Sequence, residues 1–447
     1  MSKLKEIGEG IYVSTIDPNR AIQFEMTGSV VNAPIIDTDK TYKKAKALHA
    51  KGKLWASWGQ KNDLPYVLMS LVYNNNLLPG SLDTKDQITI GDKIIFYYER
   101  FEDGKIIPTP FEDIELSDWL EEIGTNEYLE EAAIDYNWFA NAFAELAYGN
   151  QRGSRANKIV SIKNIEAVDC RAEIMDPKRL ISLHYGIADW KNNPKDVKVV
   201  DAFDPSKDKQ ANKFIIHCKK KTPGQPYYPM PSYIGAQHWI RHANKIPIWK
   251  SANMDNAINI KYHVQIPERY FLNLYPDAQG YTKKDRQKKY EEKCAEIGEY
   301  LAGVENVSKA FFTQFAVDPV SGKELPGWKI EPIKNEINHE AYSKDFEDSN
   351  SAILSGVGVS PSLSGVMMPG KMGAGSGADI RLSYEFHSKV KTRYPRRILL
   401  KPIELAMKIN GLDKRKVDGQ LRKVKVGIQD MEFTTLDKNP TGSQKTL

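Results

Sequence analysis

The feature that most constrains this chain is a glycine-rich stretch that separates two segments of helical pattern. From Gly356 to Gly377, glycine, serine and methionine follow one another without helix or strand periodicity. A loop of roughly twenty residues is uncommon inside a compact domain and usually serves a function. We therefore predict a functional loop here, between a helix that starts near Asn338 and a longer one from Ala378 to Asn410.

Another helical segment and an insert precede these elements. Ser232 is a preferred type of helix cap and predicts a first helix that runs toward Ile260, in which Pro247 predicts a kink or a break. The insert extends from Lys261 to Lys334 and has the pattern of a small α/β subdomain. The apolar stripe of the first helix comprises Tyr233, Ala236, Ile240, Ala243 and Ile246.

Inside the insert, one helix and three strand-like runs are predicted. A strand-like piece comes first and is followed by a charged helix from Thr282 to Leu301. Two later runs, Ala310 to Val317 and Gly327 to Ile333, have a strand pattern and are predicted to pair as a hairpin.

The first 230 residues mix strand and helix patterns, which predicts an α+β unit. A helix is expected to begin after Leu64-Pro65, because proline suits the first helical turn. Apolar residues at spacings of three and four predict one long helix from Ser117 to about Gly149. Strands are predicted at Gln87–Gly91 and Lys93–Tyr98, as a hairpin-like pair, and at Ile159–Ile165 and Lys213–Cys218.

The helix after the loop is basic, and Pro395 and Pro402 are expected to interrupt it before Gly411 ends it. Two interpretations stay open: a solvated helix face, or a surface that faces phosphates or a neighbouring subunit. The residues concerned are Lys389, Lys391, Arg393, Arg396 and Arg397.

The loop itself carries Met367, Met368, Lys371 and Met372 among glycines. Methionines often fill gaps in a core, but glycine-rich surroundings disfavour stable packing. Unbranched apolar side chains on a loop suit sliding contact with an irregular partner, and Lys371 suits phosphate contact without base reading. The residues by themselves therefore predict contact with an irregular, phosphate-bearing partner, without base reading.

An enzymatic alternative rests on Gly365 to Met372, which matches seven positions of the phosphate-cradling loop G-x-x-x-x-G-K-[ST]. Met372 lacks the hydroxyl that would hold magnesium in that loop. ATP hydrolysis that is lost in Lys371→Ala would favour this function. No nucleophile elbow surrounds the nearby serines, so we expect no catalytic residue.

No cofactor or metal is expected. His238 and His242 have the i, i+4 spacing of a shared helix face but lack a third ligand, and the three cysteines are far apart. The net charge of +5 decides nothing about partners by itself. No apolar run is long enough for a membrane span, so assembly in a reducing cytoplasm is expected.

Four stretches resemble the portal protein family of tailed bacteriophages, and Ile353 to Gly365 is the most specific, with Ser360 where the family has its first proline. The stretches are Trp58-Gly-Gln-Lys-Asn62-Asp-Leu-Pro65, similar to W-G-x-x-N-x-x-P; Asp135 to Asn150, similar to the family's D-x-x-x-x-G-N-A-like helix; Tyr228 to Ala236, similar to the stretch that opens the first stem helix; and Ile353 to Gly365, similar to the f-G-V-P-P-x-L-L-G turn.

The resemblance implies an α+β portal fold in a ring, with a mixed wing, two stem helices, a small clip, a tunnel loop and a long kinked helix. Mapped onto this chain, the parts are the wing (1–230), first stem helix (231–260), clip (261–334), second stem helix (335–357), tunnel loop (358–377), kinked wing helix (378–411), and C-terminal wing strands and tail with little or no crown (412–447).

The family's role implies a subunit of the capsid's portal vertex, in a ring of about twelve copies through which the terminase packages duplex DNA and the genome is later ejected. The implied partners are the large terminase, the major capsid protein, a head-completion or adaptor protein and double-stranded DNA, without a membrane. The clip residues expected to contact the terminase are Lys284, Arg286, Lys288 and Lys289. Another tail or capsid protein of a phage stays an alternative.

Overall fold

The computed structural model describes residues 3–8, 11–15, 47–149, 157–179, 181–192, 194–207, 210–257, 262–265, 274–302, 329–332, 339–365 and 377–432. The chain divides into two compact units. The larger comprises Val30–Ile246 with Glu340–Leu447, and the smaller comprises Met1–Ser29 with Pro247–His339. The chain contains both helices and mostly antiparallel sheets, which confirms the α+β prediction.

The elements up to residue 219 are β1 (Lys3–Gly8), β2 (Ile11–Thr15), β3 (Ala47–Ala50), β4 (Lys53–Ala56), α1 (Leu64–Tyr73), α2 (Leu78–Ile90), β5 (Lys93–Glu102), β6 (Lys105–Phe111), α3 (Ile114–Ile123), α4 (Thr125–Phe139), β7 (Asn141–Tyr148), β8 (Ile159–Ile165), β9 (Cys170–Ala172), β10 (His184–Ile187), β11 (Lys198–Ala202) and β12 (Lys213–Lys219). The later elements are α5 (Gln237–Ala257), β13 (Tyr262–Gln265), α6 (Lys283–Ala302), β14 (Lys329–Pro332), α7 (His339–Val357), α8 (Gly377–Phe386), a π-helical turn (His387–Lys391), α9 (Arg393–Ile409), β15 (Lys414–Val417) and β16 (Gln420–Gln429).

Two sheets organise the larger unit. One has six strands in the order β8-β7-β12-β11-β10-β9, antiparallel except for the β11–β12 pair, and the other has four antiparallel strands in the order β15-β16-β5-β6. Helices α4 and α9 contact both β7 and β8 of the first sheet, and α9 also contacts β16 of the second. Their shared core includes Leu129, Phe214, Leu399 and Val426.

The two edge strands of the four-stranded sheet differ in composition. Among the strands that the structure describes, β6 pairs with β5 alone and contains Pro108 and Pro110. Within the same set, β15 pairs with β16 alone and begins with Lys414, Arg415 and Lys416. Prolines and charges of this kind disfavour further pairing at a sheet edge.

The single long helix predicted from Ser117 to Gly149 is wrong. The region forms α3, α4 and then strand β7, because Gly124 and Ala140 both adopt left-handed backbone conformations, with φ of 80° and 60°. Residues 141–146 are all buried in the sheet. A strand that is buried on both faces has a continuous apolar pattern, which periodicity alone does not separate from a helix.

The strand predicted at Gln87–Gly91 is also wrong, since these residues form the last turn of α2 up to Gly91, where φ is 71°. Ile88 and Thr89 are buried in that turn. Strand β5 pairs with β6 instead. Local β-propensity was overridden by burial against neighbouring elements.

Several predictions for the larger unit are confirmed. Helix α1 begins at Leu64 and buries Leu68, Leu71 and Val72, and strands β8 and β12 lie where expected. The predicted stripe from Tyr233 to Ile246 is buried throughout.

The start of α5 requires a correction. Ser232 opens a short 3-10 turn without a side-chain capping bond, and the α-helix begins only at Gln237. Pro247 lies inside this helix, and the predicted end at Ile260 lies outside the described residues.

In the smaller unit, β1 pairs with β2 and β13 pairs with β14, both antiparallel. Helix α6 confirms the charged helix, and Thr282 and Asp285 cap its first turn through reciprocal hydrogen bonds. Of the predicted hairpin, residues 310–317 lie outside the described residues, and residues 329–332 pair with β13.

The basic helix is interrupted just before Pro395, as predicted, but not at Pro402, which lies inside α9. Pro395 lies in the first turn of α9, and the residue four positions before it, Lys391, ends the π-helical turn. The interruption is the π-helical turn, in which the Thr392 amide donates to the carbonyl of His387 at 3.0 Å. Gly411 follows the helix with φ of 73°, which confirms it as the helix end.

A buried arginine joins the turn before α1 to the six-stranded sheet of the larger unit. Arg171 of β9 is 0% exposed, and its guanidinium lies 5.4 Å from the ring of Trp58 and 5.7 Å from that of Trp190. Its Nε donates to Oδ1 of Asn62 at 2.6 Å, and its NH1 donates to the carbonyls of Val168 and Cys170. Trp58 and Asn62 are the first and fifth residues of the W-G-x-x-N-x-x-P stretch.

We expect Arg171→Met to lower the free energy of unfolding by about 3 kcal/mol, because two buried carbonyls lose their donor. Urea unfolding followed by tryptophan fluorescence measures this change. Arg100→Met on the exposed part of β5 is the control and should change stability by less than about 0.5 kcal/mol. Equal stability of the two variants would contradict the structural role of Arg171.

Candidate nucleic-acid interface around the glycine-rich segment

Helix α7 ends where the glycine-rich segment begins. Gly358 has φ of 80°, and its amide donates to the carbonyl of Leu354 at 2.8 Å. Val357 and Val359 on either side are buried. This left-handed helix end turns the chain sharply and anchors the start of the segment in the core.

Three serine hydroxyls join the two ends of the segment. Oγ of Ser362 donates to Oγ of Ser383 at 2.9 Å, and Ser360 lies 3.0 Å from Ser362 and 3.2 Å from Ser383. Ser383 belongs to α8, which follows the segment. The residues before and after 366–376 are therefore held next to each other.

His387 makes a second connection between the same ends. Its Nε2 lies 2.6 Å from the carbonyl of Gly358, so this nitrogen is the donor. The side chain is only 3% exposed, and its Nδ1 has no partner among the described residues. Burial lowers the pKa of His387, which favours the neutral ring.

Helix α2 contributes a lysine to the same place. Nζ of Lys85 lies 3.4 Å from the carbonyl of Val357, the last residue of α7. Burial, together with the nearby charges of Lys220 and Lys391, lowers the pKa of Lys85 to about 8. Basic side chains from three separate segments therefore lie within electrostatic reach of one another.

The carboxyl beside Lys85 does not neutralise these charges fully. Asp86 is buried and accepts a hydrogen bond from Nδ2 of Asn137 at 2.7 Å. Burial raises the pKa of Asp86 to about 7. Much of this carboxyl is therefore protonated and uncharged near neutral pH.

The residues predicted in the loop itself, Met367, Met368, Lys371 and Met372, lie outside the described residues. Gly365, the first glycine of the phosphate-loop match, is described and ends a turn that follows helix α7. A phosphate-cradling loop follows a strand, so the context before Gly365 does not fit that motif.

The basic residues after the loop have different environments. Arg396 is engaged within the chain: its side chain is 11% exposed, and it binds Asp430 at 2.5 Å and the carbonyls of Ile88 and Thr89. Lys389 lies 3.9 Å from a carboxylate oxygen of Glu385. The exposed remainder comprises Lys391, Arg393 and Arg397, and the guanidinium of Arg397 lies over the ring of Tyr394.

The basic residues predicted for the clip lie on α6. Arg286 binds Asp277 at 2.7 Å and the carbonyl of Tyr275 at 3.1 Å, so it fixes the turn before the helix. Lys289 pairs with Glu292 one turn later at 3.0 Å. Lys284 and Lys288 are exposed.

Three basic residues near this candidate site were missed by sequence reasoning: Lys85, Lys220 and His387. The run Lys219-Lys220-Lys221 is visible in the sequence and could have indicated a basic surface. Lys85 and His387 carry no local signal, because only the packing of α2 against the π-helical turn brings them together.

The other motifs do not assemble into a site among the described residues. His238 and His242 are both exposed on α5, and no group of three or more metal-ligating side chains occurs in the described parts of the chain. Within those same parts, every helix is too short or too polar to cross a membrane.

Comparison with known proteins gives a clear result only at the level of structure. No protein-family model and no curated protein sequence matches the chain. A chain in the virion of a native gene transfer agent particle matches with a TM-score of 0.54 and 14% identity, covering 88% of both chains. The chain shares its fold with this particle protein.

Two neck structures of such particles match as well. The neck of an empty particle, computed with C6 symmetry, gives a TM-score of 0.54 at 14% identity and covers 81% of this chain and 84% of the other. The neck of a native particle, computed with C12 symmetry, gives 0.52 at 14% identity over 86% and 87%. At this identity the likeness concerns the fold.

We expect Gly358→Ala to lower the free energy of unfolding by about 1 kcal/mol, because a side chain at this positive φ is strained. Gly80→Ala is the matched control: both glycines have open space around an added Cβ, but Gly80 lies in helix α2 and has no positive φ. That variant should gain up to about 1 kcal/mol. Thermal unfolding compares them, and a loss in both would contradict the backbone argument.

The state of Asp86 predicts a pH dependence of stability. An aspartate in an unfolded chain has a pKa of about 3.9, whereas burial in the folded protein raises the pKa of Asp86 to about 7. Between these two pH values the folded state therefore binds more protons than the unfolded state. The contribution of Asp86 to the free energy of unfolding therefore decreases as the pH rises between these two values. Asp86→Asn should reduce the loss between about pH 5 and about pH 8 by on the order of 2 kcal/mol.

Urea unfolding at the two pH values measures this difference. Asp83→Asn, an exposed position on the same helix, is the control and should leave the pH dependence unchanged. If both variants retained the wild-type pH dependence, Asp86 would not be the responsible group.

Proposed function

We propose that this chain is a portal subunit of a phage or phage-like particle: a ring of about twelve copies at one capsid vertex that forms a channel for duplex DNA. The observation that carries the proposal is the fold, which is shared over 88% of the chain with a virion protein and over comparable lengths with neck proteins. The C6 and C12 symmetries of those necks support a ring. In such a ring each subunit contacts its neighbours through two different faces.

The order of elements along this chain supports the same function. A helix, an insert of strands with a charged helix, a second helix, a glycine-rich segment and a kinked basic helix follow one another as α5, β13 to β14, α7, residues 358–376 and α8 to α9. In the proposed function α5 and α7 are the stem helices, residues 261–334 are the clip, and the glycine-rich segment is the tunnel loop. Its Met367, Met368, Lys371 and Met372 contact DNA without reading its sequence.

The proposed partners follow from these assignments. The large terminase and later a head-completion protein dock on the clip, where Lys284 and Lys288 are exposed. The wing contacts the major capsid protein. The chain itself catalyses no reaction in this proposal, because hydrolysis of ATP belongs to the terminase.

End-on views in negative-stain electron microscopy of the purified full-length protein test the proposal. We expect closed rings with about twelvefold symmetry and a central channel, because identical subunits with a head-to-tail interface close into rings. Sheets or tubes without a channel would favour another tail or capsid protein. A protein that stays monomeric at high concentration would contradict the ring.

A further inference from the structure

The strongest unassigned feature of the larger unit is the group of basic side chains where the glycine-rich segment joins the core. Lys85 comes from α2, Lys220 from the end of β12, and Lys391 from the π-helical turn. Helix α2 contacts both α4 and the π-helical turn, so the fold brings these remote segments together.

Hydrogen bonds fix this arrangement. Asn137 near the end of α4 binds Asp86, which places that helix end against the turn of α2 that carries Lys85. The amide of Lys220 donates to the carbonyl of Ala140, the residue that ends α4, at 3.3 Å. On the other side, His387 binds Gly358 while Lys85 reaches Val357.

The charges of the group are poorly balanced. Lys85, Lys220 and Lys391 are close enough for the second and third to lower the pKa of the first. The adjacent carboxyl, Asp86, is buried and hydrogen-bonded to an amide. Lys389 differs from Lys391 on the same turn, because Glu385 lies beside it. Such a surface attracts anions.

His387 fixes the position of this group but does not itself bind an anion. Its side chain is 3% exposed, and its Nε2 donates to the carbonyl of Gly358. In the neutral ring Nδ1 is then an acceptor, so the anion contact is left to the lysines. His387 also lies near enough to Lys85 and Lys391 for their charges to affect its pKa.

We propose that Lys85, Lys220 and Lys391 form a cluster that binds backbone phosphates of duplex DNA beside the two ends of the glycine-rich segment. The lysine side chain is long and flexible and ends in a hydrated point charge. It can therefore contact successive phosphates of a duplex without a fixed geometry. This inference rests on the proposed function and extends its DNA contact beyond the loop to residues of the core.

The test compares duplex binding by assembled rings at several salt concentrations. Fluorescence anisotropy of a short labelled duplex gives the dependence of affinity on salt for the wild type and for Lys220→Ala combined with Lys391→Ala, two exposed positions. The salt exponent is the magnitude of the slope of log affinity against log salt concentration. Each lost phosphate contact lowers this exponent by about 0.9, so we expect a decrease of about 2 or more. Lys85 is left intact because it also binds the carbonyl of Val357.

The matched control is Lys401→Ala combined with Lys408→Ala, two exposed positions on α9 with the same change in charge. We expect its exponent to stay near that of the wild type. An unchanged exponent in the cluster variant, or an equal decrease in both variants, would overturn the cluster and leave the ring assignment intact.

Ring formation is measured in parallel by electron microscopy. If the cluster variant alone fails to form rings, the lysines bind a second copy of the chain and the proposal is wrong. If wild-type rings form but do not bind duplex at low salt, the cluster and the DNA contact both fail. Absence of rings in the wild type contradicts the proposed function separately.

Discussion

The larger unit depends on a cation that is buried without a carboxylate partner among the described residues. Arg171 lies between Trp58 and Trp190, and backbone carbonyls and the amide oxygen of Asn62 satisfy its donors. Because the transfer of a charge from water to the protein interior is costly, the fold must place hydrogen-bond partners around the guanidinium of Arg171. The turn before α1, the strand β9 and the short turn at Trp190 therefore form as one unit.

Patterns that depend on local chemistry predicted much of this fold. The buried stripe of α5, the start of α1 after a proline and the glycine that ends α9 follow from side-chain spacing and backbone preference, and the structure confirms them. Strand β7 could not be predicted, because a strand buried on both faces loses its alternation. Pro395 indicated an interruption of the basic helix near the π-helical turn, but the type of turn had no signal in the sequence.

The candidate site was predictable only in part. Sequence reasoning selected the glycine-rich segment and the basic helix, but it could not separate Arg396, which binds inside the fold, from exposed Arg397 on the same helix. Nor could it predict that Lys85 lies near the π-helical turn, which is some three hundred residues away in the chain. The connections through Ser383 and His387, which join α8 and the π-helical turn to the residues after α7, likewise had no signal in the sequence.

The two edges of the four-stranded sheet have a consequence for solubility. A protein that gathers many copies of itself raises the local concentration of every exposed strand, and open edges then recruit one another into continuous β-structure. In β6, Pro108 and Pro110 offer no amide donor, and β15 exposes Lys414 and Lys416, whereas Arg415 pairs with Glu115. Backbone pairing between copies of this chain at these two edges is therefore disfavoured, which lowers the tendency of the concentrated protein to form continuous β-structure.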